Sequence, residues 1–215
     1  MLLLPFPAPP FDENTFLLAC LETRQAVVID PGEGTHALIE RVRKEEFEPT
    51  AILLTHAHLD HISGVRDVRD AFGALPIHLH PADRFLYDAV VQQGQMFGIR
   101  AESQPPPDRE LAGRQVLDVG RLRIRVHETP GHSPGGVVFE VTAPDGSTQL
   151  VAGDTLFAGS IGRTDLPGGD YRTLINSIRT VLLAFGDSVP VHPGHYASTT
   201  IGQERRTNPF LQAQD

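Results

Sequence analysis

Short apolar runs alternate with amphipathic segments along most of the chain. The runs at residues 26–29 and 51–54 are aliphatic, partly β-branched, and end at polar or turn residues, as is typical of buried strands. Between them, Leu38, Ile39 and Val42 recur at helical spacing in a charged segment. This part of the sequence therefore predicts a strand, a helix and a second strand in succession.

The same alternation continues through the middle of the chain. Apolar positions at helical spacing over residues 65–72 predict a helix, and residues 77–80 predict a strand. A helical stretch is expected to begin near Pro81, because proline suits a first helical turn. Alternating apolar positions over residues 116–126 predict a hairpin that turns near Gly120.

The two ends of the chain complete the pattern. Residues 1–10 and 188–191 predict the first and last strands, and residues 137–139 and 150–152 predict two more. Over residues 174–185, apolar side chains recur at helical spacing for more than three turns, which predicts an amphipathic helix. The alternation favours an α/β fold with mixed sheets covered by helices.

Length and composition add limits to this picture. With 215 residues, 40% apolar and 21% charged, and no composition break that marks a linker, residues 1–215 are expected to form one globular domain. Acidic residues outnumber basic ones 27 to 18, which disfavours nucleic acid as a partner. The lone cysteine, Cys20, lies in an apolar run and is expected to be a buried core thiol.

The sequence also bears on location. No run of about 18 apolar residues is present, so no membrane span is expected. The apolar opening of the chain lacks a basic segment and is interrupted by prolines, unlike a secretory signal. A cytoplasmic protein is therefore expected. Its expected partner is a small-molecule substrate and not a membrane. A homo-oligomer is compatible with these features.

The strongest chemical signal lies directly after the apolar run at residues 51–54. His56, His58, Asp60 and His61 fall within six residues, between a predicted strand and a predicted helix. Imidazoles and carboxylates are ligands for zinc, iron or manganese. A single histidine is most often structural, but four candidate ligands in one turn predict a metal site.

Three further candidates lie in similar positions along the chain. His132, Asp154 and His195 each follow a predicted strand and each stands beside a glycine. Glycine lets a backbone approach a metal closely because it has no Cβ atom. Each of these residues is ambiguous when taken alone.

Taken in order, these motifs resemble the metallo-β-lactamase-fold hydrolases, and within them the glyoxalase II-like (hydroxyacylglutathione hydrolase-like) branch of compact bacterial type. The similarity runs from about residue 14 to residue 210. Its markers are Ile29-Asp30-Pro31-Gly32, the histidine-rich run at residues 56–61, Pro130-Gly131-His132, Gly153-Asp154-Thr155-Leu156-Phe157, Gly162-Arg163-Thr164-Asp165 and Pro193-Gly194-His195.

The resemblance implies a four-layer αββα sandwich of two mixed sheets flanked by helices, with the site along one edge. It implies two divalent metal ions, zinc being expected and iron or manganese being alternatives. The first ion would take His56, His58 and His132. The second ion would take Asp60, His61 and His195. Asp154 would bridge the two ions.

This arrangement implies hydrolysis of small acyl thioesters such as S-lactoylglutathione by a metal-bridging hydroxide. Asp60 and Asp154 are the expected catalytic carboxylates, and Asp60 could also orient water or transfer a proton. Asp30 is expected to accept the free N–H of a ligating histidine, although a simple turn role before Pro-Gly is equally compatible. β-Lactam hydrolysis is disfavoured, because true lactamases of this family usually lack the bridging role at the position of Asp154.

Other features bear on substrate recognition. No counterpart is expected here of the C-terminal helical domain that holds glutathione in full-length glyoxalase II. Arg163 matches a basic residue of the family, while Asp165 stands near the position of its tyrosine. Arg163 is therefore the expected substrate-binding residue, with glutathione specificity open. Arg205 and Arg206 could bind an acidic substrate, but pairing with surface carboxylates is favoured.

Two other functions compete with hydrolysis. Related proteins with the same Gly-Arg-Thr-Asp stretch are persulfide dioxygenases that hold one iron, which here would be bound by His56, His132 and Asp154. A non-catalytic metal-binding module is the third alternative, disfavoured because none of the candidate ligands is missing. The remaining histidines are expected to be surface or core residues: His36, His78, His80, His127 and His192.

Overall fold

The computed structural model describes residues 1–212 of the chain. It contains fourteen strands and eight helices in that range. The strands are β1 Leu2–Ala8, β2 Glu13–Ala19, β3 Gln25–Ile29, β4 Glu48–Leu53, β5 Ile77–Leu79, β6 Arg109–Glu110, β7 Val116–Val119, β8 Leu122–Glu128, β9 Val137–Thr142, β10 Thr148–Gly153, β11 Leu156–Phe157, β12 Ser160–Ile161, β13 Pro190–Pro193 and β14 Thr199–Thr200. The helices are α1 Thr35–Lys44, α2 Leu59–Ile62, α3 Val65–Phe72, α4 Arg84–Asp88, α5 Val90–Phe97, α6 Tyr171–Thr180, α7 Ile201–Thr207 and α8 Pro209–Gln212.

Two six-stranded sheets carry the fold. The first has the order β1-β2-β3-β4-β5-β6, antiparallel from β1 to β3 and parallel from β3 to β6. The second has the order β14-β13-β10-β9-β8-β7, in which only β10 and β13 pair in parallel. Both sheets are therefore mixed, as the sequence predicts.

Three apolar clusters show how the layers stack. One packs the outer face of the first sheet against α1, α3 and α4, with Val28, Leu38 and Val68 among its members. A second lies between the two sheets, and a third packs the second sheet against α6 and α7. Because strand side chains alternate between faces, each sheet supplies two of these clusters. The result is the αββα sandwich, so the predicted fold is confirmed.

The structure corrects two predicted elements. The helix predicted over residues 174–185 is α6, which ends at Thr180 and is followed by a 3-10 turn at residues 182–184. Leu182 is still fully buried in the same cluster, so the apolar face continues beyond the α-helix and periodicity alone cannot place its end. The last predicted strand is displaced, because β13 covers residues 190–193 and β14 follows it.

Strand β2 was not predicted because it begins with Glu13, Asn14 and Thr15, which are polar although they are buried. Its run shows no alternation, and the sequence indicated only a core segment around Cys20, which is buried as expected. Within residues 1–212, no helix has the length and apolar character needed to cross a membrane.

Candidate metal centre

The predicted site residues all follow the carboxyl ends of strands. Asp30 follows β3 and the histidine-rich turn follows β4, and these two strands are parallel neighbours. The loops that carry His132, Asp154 and His195 follow β8, β10 and β13, which share one direction because β9 runs antiparallel to both β8 and β10. Strands of one direction end at the same edge, so both sheets deliver side chains to one edge of the sandwich.

A first group of ligand atoms, cluster A, consists of His56, His58 and His132. The Nε2 atom of His132 lies 2.8 Å from His58 Nδ1 and 3.2 Å from His56 Nε2. All three side chains are buried, and one nitrogen of each lies within 4.8 Å of the others. The three nitrogens are thus close enough to share one ion.

A second group, cluster B, consists of Asp60, His61 and His195. The Nε2 atom of His195 lies 3.2 Å from Asp60 Oδ2, and that of His61 lies 3.9 Å from the same oxygen. One ligand atom from each residue again lies within 4.8 Å of the other two.

Asp154 stands between the two clusters. Its Oδ2 atom lies 3.5 Å from His132 Nε2 of cluster A and 3.5 Å from His195 Nε2 of cluster B. Its Oδ1 atom lies 3.4 Å from His61 Nε2. The carboxylate therefore reaches both groups, as a shared ligand must.

In His132 and His195, a hydrogen bond from one ring nitrogen determines which nitrogen faces the clusters. His132 Nδ1 lies 2.8 Å from the carbonyl oxygen of Arg163, and His195 Nδ1 lies 3.1 Å from that of Phe11. A carbonyl oxygen only accepts, so each Nδ1 carries the proton and each Nε2 offers its lone pair.

Asp30 plays the same part for His61. Its Oδ2 atom lies 3.1 Å from His61 Nδ1 and accepts a hydrogen bond from Thr55 Oγ1, while Oδ1 accepts from Thr55 N at 2.7 Å. Asp30 is fully buried and adopts a positive φ of 48°. The structure thus places Asp30 in contact with His61 and also in a turn conformation before Pro31-Gly32.

The electrostatics of the two clusters differ. Burial and the neighbouring imidazole of His132 lower the pKa of His58 to about 3, so this ring is neutral and can donate a lone pair. Around cluster B, burial lowers the pKa of His61, but the carboxylates of Asp154 and Asp60 outweigh it and raise that pKa well above its usual value. The acidic surroundings of His61 thus favour a positive charge at this point.

Buried polar atoms that lack hydrogen-bond partners indicate whether the two clusters suit metal ions. Within residues 1–212, His61 Nε2 and Asp154 Oδ1 are buried and have no hydrogen-bond partner of acceptable geometry. A buried polar atom without a partner costs free energy, and a cation between these two would satisfy both. The donor set of imidazoles and carboxylates matches zinc, iron or manganese, so the residues fit divalent ions.

Two buried side chains that the sequence did not single out support the ligand loops. Asp83 accepts hydrogen bonds from Ala57 N at 3.2 Å, Ser133 Oγ at 2.7 Å and Gly135 N at 2.6 Å. It therefore joins the loop of His56 and His58 to the loop of His132. The signal was weak, since an acidic residue in a helical stretch is normally exposed.

The second supporting side chain is Gln93. Its amide donates to the carbonyl of Ala57 at 3.0 Å and accepts from Leu59 N at 3.0 Å. These contacts bracket His58 on both sides. No motif marked this glutamine, because its role depends on α5 packing against the turn.

Glycine is required beside two candidate ligands. A Cβ atom on Gly194 would lie 2.3 Å from Asp154 Oδ1 and 2.6 Å from His61 Cε1. Gly153 has a φ of +47°, and a Cβ atom there would lie 2.4 Å from Thr55 Oγ1. At both positions the backbone lies too close to neighbouring side chains to accommodate a Cβ atom, and at Gly194 those neighbours are candidate ligands.

The C-terminal helices support one wall of the site. Buried Glu204 accepts from Gly159 N at 2.8 Å, and Asn208 Nδ2 donates to the carbonyl of Ser160 at 2.9 Å. These bonds hold the β11–β12 hairpin. Arg205 and Arg206 both pair with Asp187, which is the surface pairing that the sequence favoured.

Of the remaining residues considered in the sequence, Arg163 lies at the site and the other five histidines lie outside the two clusters. Arg163 lines the cavity in front of the clusters, with its guanidinium paired to Asp165. None of the five other histidines belongs to a group of potential metal ligands among the described residues. His80 and His127 instead contact Glu128 and Glu140, and His192 contacts Ser198 and Gln149.

An αββα sandwich with two groups of histidine and aspartate at one edge defines a class of metal-binding hydrolases. The profile of the Metallo-beta-lactamase superfamily matches residues 8–195. The chain belongs to this superfamily.

Two relatives match over nearly their full lengths. A Mycobacterium tuberculosis protein described as uncharacterized is 42% identical, covering 99% of this chain and 98% of the relative. A Haemophilus influenzae protein named hydroxyacylglutathione hydrolase GloC is 37% identical, covering 96% of both chains.

Three solved structures are similar as well. The BLEG-1 B3 metallo-β-lactamase has a TM-score of 0.89 at 38% identity, covering 99% of this chain and 100% of that one. TTHA1623 in a di-iron-bound form has a TM-score of 0.86 at 40% identity, covering 97% and 100%. ETHE1 from Myxococcus xanthus has a TM-score of 0.79 at 25% identity, covering 97% and 84%.

Proposed function

We propose that the protein hydrolyses small acyl thioesters, such as S-lactoylglutathione, with two divalent ions held at clusters A and B. The observation that carries this proposal is the position of Asp154, whose oxygens lie 3.4 to 3.5 Å from histidine nitrogens of both clusters. The similarity to GloC, named as a hydroxyacylglutathione hydrolase, supports thioesters as the substrate class.

In this proposal each cluster and its neighbours have separate tasks. His56, His58 and His132 hold one ion, Asp60, His61 and His195 hold the other, and Asp154 is shared. Ions held there supply Lewis acidity, which polarises a substrate carbonyl and makes water more acidic. Zinc is the expected metal, and the di-iron form of TTHA1623 makes iron a specific alternative.

The chain's own carboxylates handle the proton. Burial raises the pKa of Asp60, but His61 and His195 outweigh it and hold that pKa below its usual value, so the carboxylate is ionised near neutral pH. Asp60 also lines the cavity beside Asp154, where it can orient water and accept its proton. Asp30 keeps the ring of His61 turned toward the cluster through Nδ1.

A second candidate is the persulfide dioxygenase with a single iron. It would use His56, His132 and Asp154, and in this structure His132 Nε2 lies 3.2 Å from His56 Nε2 and 3.5 Å from Asp154 Oδ2. The similarity to ETHE1 keeps this candidate in view. The intact cluster B favours two ions, and therefore hydrolysis.

One preparation can separate these functions. Protein purified without added metal is analysed for its elements, then assayed with S-lactoylglutathione, glutathione persulfide under oxygen, and a chromogenic β-lactam, with Asp154→Ala as the control. Thioester turnover with about two ions per chain supports the proposal. One iron with oxygen uptake supports the dioxygenase instead, and preferential β-lactam turnover would match the activity that the name of BLEG-1 states.

A further inference from the structure

The cavity in front of the clusters has an apolar wall. Its lining includes the polar side chains of Gln93 and Ser160 and an apolar group. The apolar group contains Phe11, Phe97, Phe157, Ile161, Leu166 and Tyr196. Phe11 and Phe97 meet edge to face with ring centroids 6.0 Å apart, and Phe157 and Tyr196 do so at 5.9 Å. Large aromatic surfaces beside a cavity usually serve to bind a ligand.

Two of these rings are open to solvent. Phe97 is 43% exposed and Tyr196 is 73% exposed, so part of the wall is not covered by the other residues of the range 1–212. An apolar group entering the cavity would remove this surface from water, which is favourable in proportion to the area covered.

The charged groups in the same cavity point to an uncharged ligand. Among the described residues that line it, Arg163 is the only lysine or arginine. Its Nε and a terminal nitrogen lie 2.7 and 2.8 Å from the two carboxylate oxygens of Asp165. This bidentate pair occupies the one basic side chain of the lining that could meet an anionic group of the substrate away from the clusters.

We infer that this cavity prefers thioesters in which the substituent beside the thioester is apolar and uncharged. Glutathione thioesters such as S-lactoylglutathione would then be poorer substrates within the proposed class. The inference rests on the proposed function and names its substrate class. Asp165 is then a specificity-determining residue, because it occupies the guanidinium of Arg163.

Binding of thioethers tests the inference apart from turnover, because a thioether cannot be hydrolysed. Calorimetry on the metal-loaded protein compares S-hexyl-N-acetylcysteamine, S-methyl-N-acetylcysteamine and S-methylglutathione, which share the sulfur that could contact an ion. We expect the hexyl compound to bind at least roughly tenfold more tightly than its methyl analogue, equivalent to burying about two methylenes. S-methylglutathione should bind no more tightly than the neutral methyl compound.

Variants then assign the effect to the wall. Phe97→Ser and Tyr196→Asn should each reduce the advantage of the hexyl compound to less than about threefold; asparagine is chosen because Tyr196 has a φ of 66°. Phe85→Ser is the matched control, since Phe85 is 49% exposed but does not line the cavity. Asp165→Asn should tighten S-methylglutathione several-fold without changing the neutral compounds.

Two outcomes would overturn the inference. One is tighter binding of S-methylglutathione than of the hexyl compound, and the other is a hexyl advantage that survives both wall variants. If the hexyl compound binds as expected while no thioester is hydrolysed, the proposed function fails and the apolar selectivity of the cavity stands.

Discussion

Removal of the Asp83 carboxylate should weaken metal binding although this residue contacts no candidate ligand side chain. Asp83 is fully buried, and its three hydrogen bonds join Ala57 to Ser133 and Gly135. Burial raises the pKa of its carboxyl, which hydrogen bonds from Ser133 and Gly135 partly offset. In Asp83→Ala, three donors lose their acceptor and the loops of His58 and His132 lose their link.

The magnitude follows from these bonds. A hydrogen bond to a carboxylate contributes about 1.5–3 kcal/mol, and the cost of burying the carboxylate offsets part of the sum. We expect the free energy of unfolding of the metal-free protein to fall by about 3–5 kcal/mol. Loss of a residue that orients metal ligands typically weakens metal binding by about 10- to 100-fold, or about 1.4–2.7 kcal/mol. We expect the zinc affinity of Asp83→Ala to fall by a similar factor.

Two measurements check this prediction: competition with a chromophoric zinc chelator for metal affinity, and urea unfolding of the metal-free protein. Asp108→Ala is the matched control, because Asp108 accepts from Ile77 N and Arg69 but touches neither ligand loop. If the alanine variant does not fold, Asp83→Asn takes its place in the test. Asparagine keeps one acceptor oxygen, so its zinc affinity should lie between those of the wild type and the alanine variant. A folded Asp83→Ala protein that binds zinc within threefold of wild type would refute the reasoning.

Three further predictions follow from the site. Asp154→Ala should lower both metal content and turnover while the fold persists, because the residue lies at the sheet edge; full metal content by elemental analysis would exclude its shared role. Glu204→Ala should raise KM several-fold with unchanged metal content, since Glu204 holds the hairpin that carries Phe157; steady-state kinetics would contradict this if only kcat fell. Removal of metal by a chelator should lower Tm by roughly 5–10 °C, because ions at about 100 times Kd stabilise the folded state by about 2.7 kcal/mol; an unchanged calorimetric Tm would speak against bound ions.

The sequence predicted the elements that are marked by short apolar runs ending at polar or turn residues, or by apolar positions at regular spacing. The strands around Val27 and Ile52, the helix α1 and the hairpin near Gly120 all appear where periodicity places them. Strand β2 was missed because its first three residues are polar although they are buried. The end of α6 was missed because a 3-10 turn continues the same apolar face. Periodicity reports burial, so it cannot separate elements that are buried in the same way.

The candidate site shows a similar division. Ligand types and their positions after strands are local features, and the structure brings all seven predicted residues together at one edge. The support from Asp83, Gln93 and Glu204 depends on contacts between segments far apart in the chain. Such contacts leave no local pattern, so these residues become visible only in three dimensions.

The edge position of the clusters has a consequence for how the protein acquires metal. Each cluster takes ligands from both sheets. In cluster A, His56 and His58 follow a strand of the first sheet and His132 follows a strand of the second. In cluster B, His61 likewise follows a strand of the first sheet and His195 follows a strand of the second. During synthesis, therefore, cluster B cannot be complete until residue 195 has left the ribosome and the two sheets have docked. Metal capture at cluster B is then a late event of folding, and an ion bound there would act as a removable cross-link between the two halves of the sandwich.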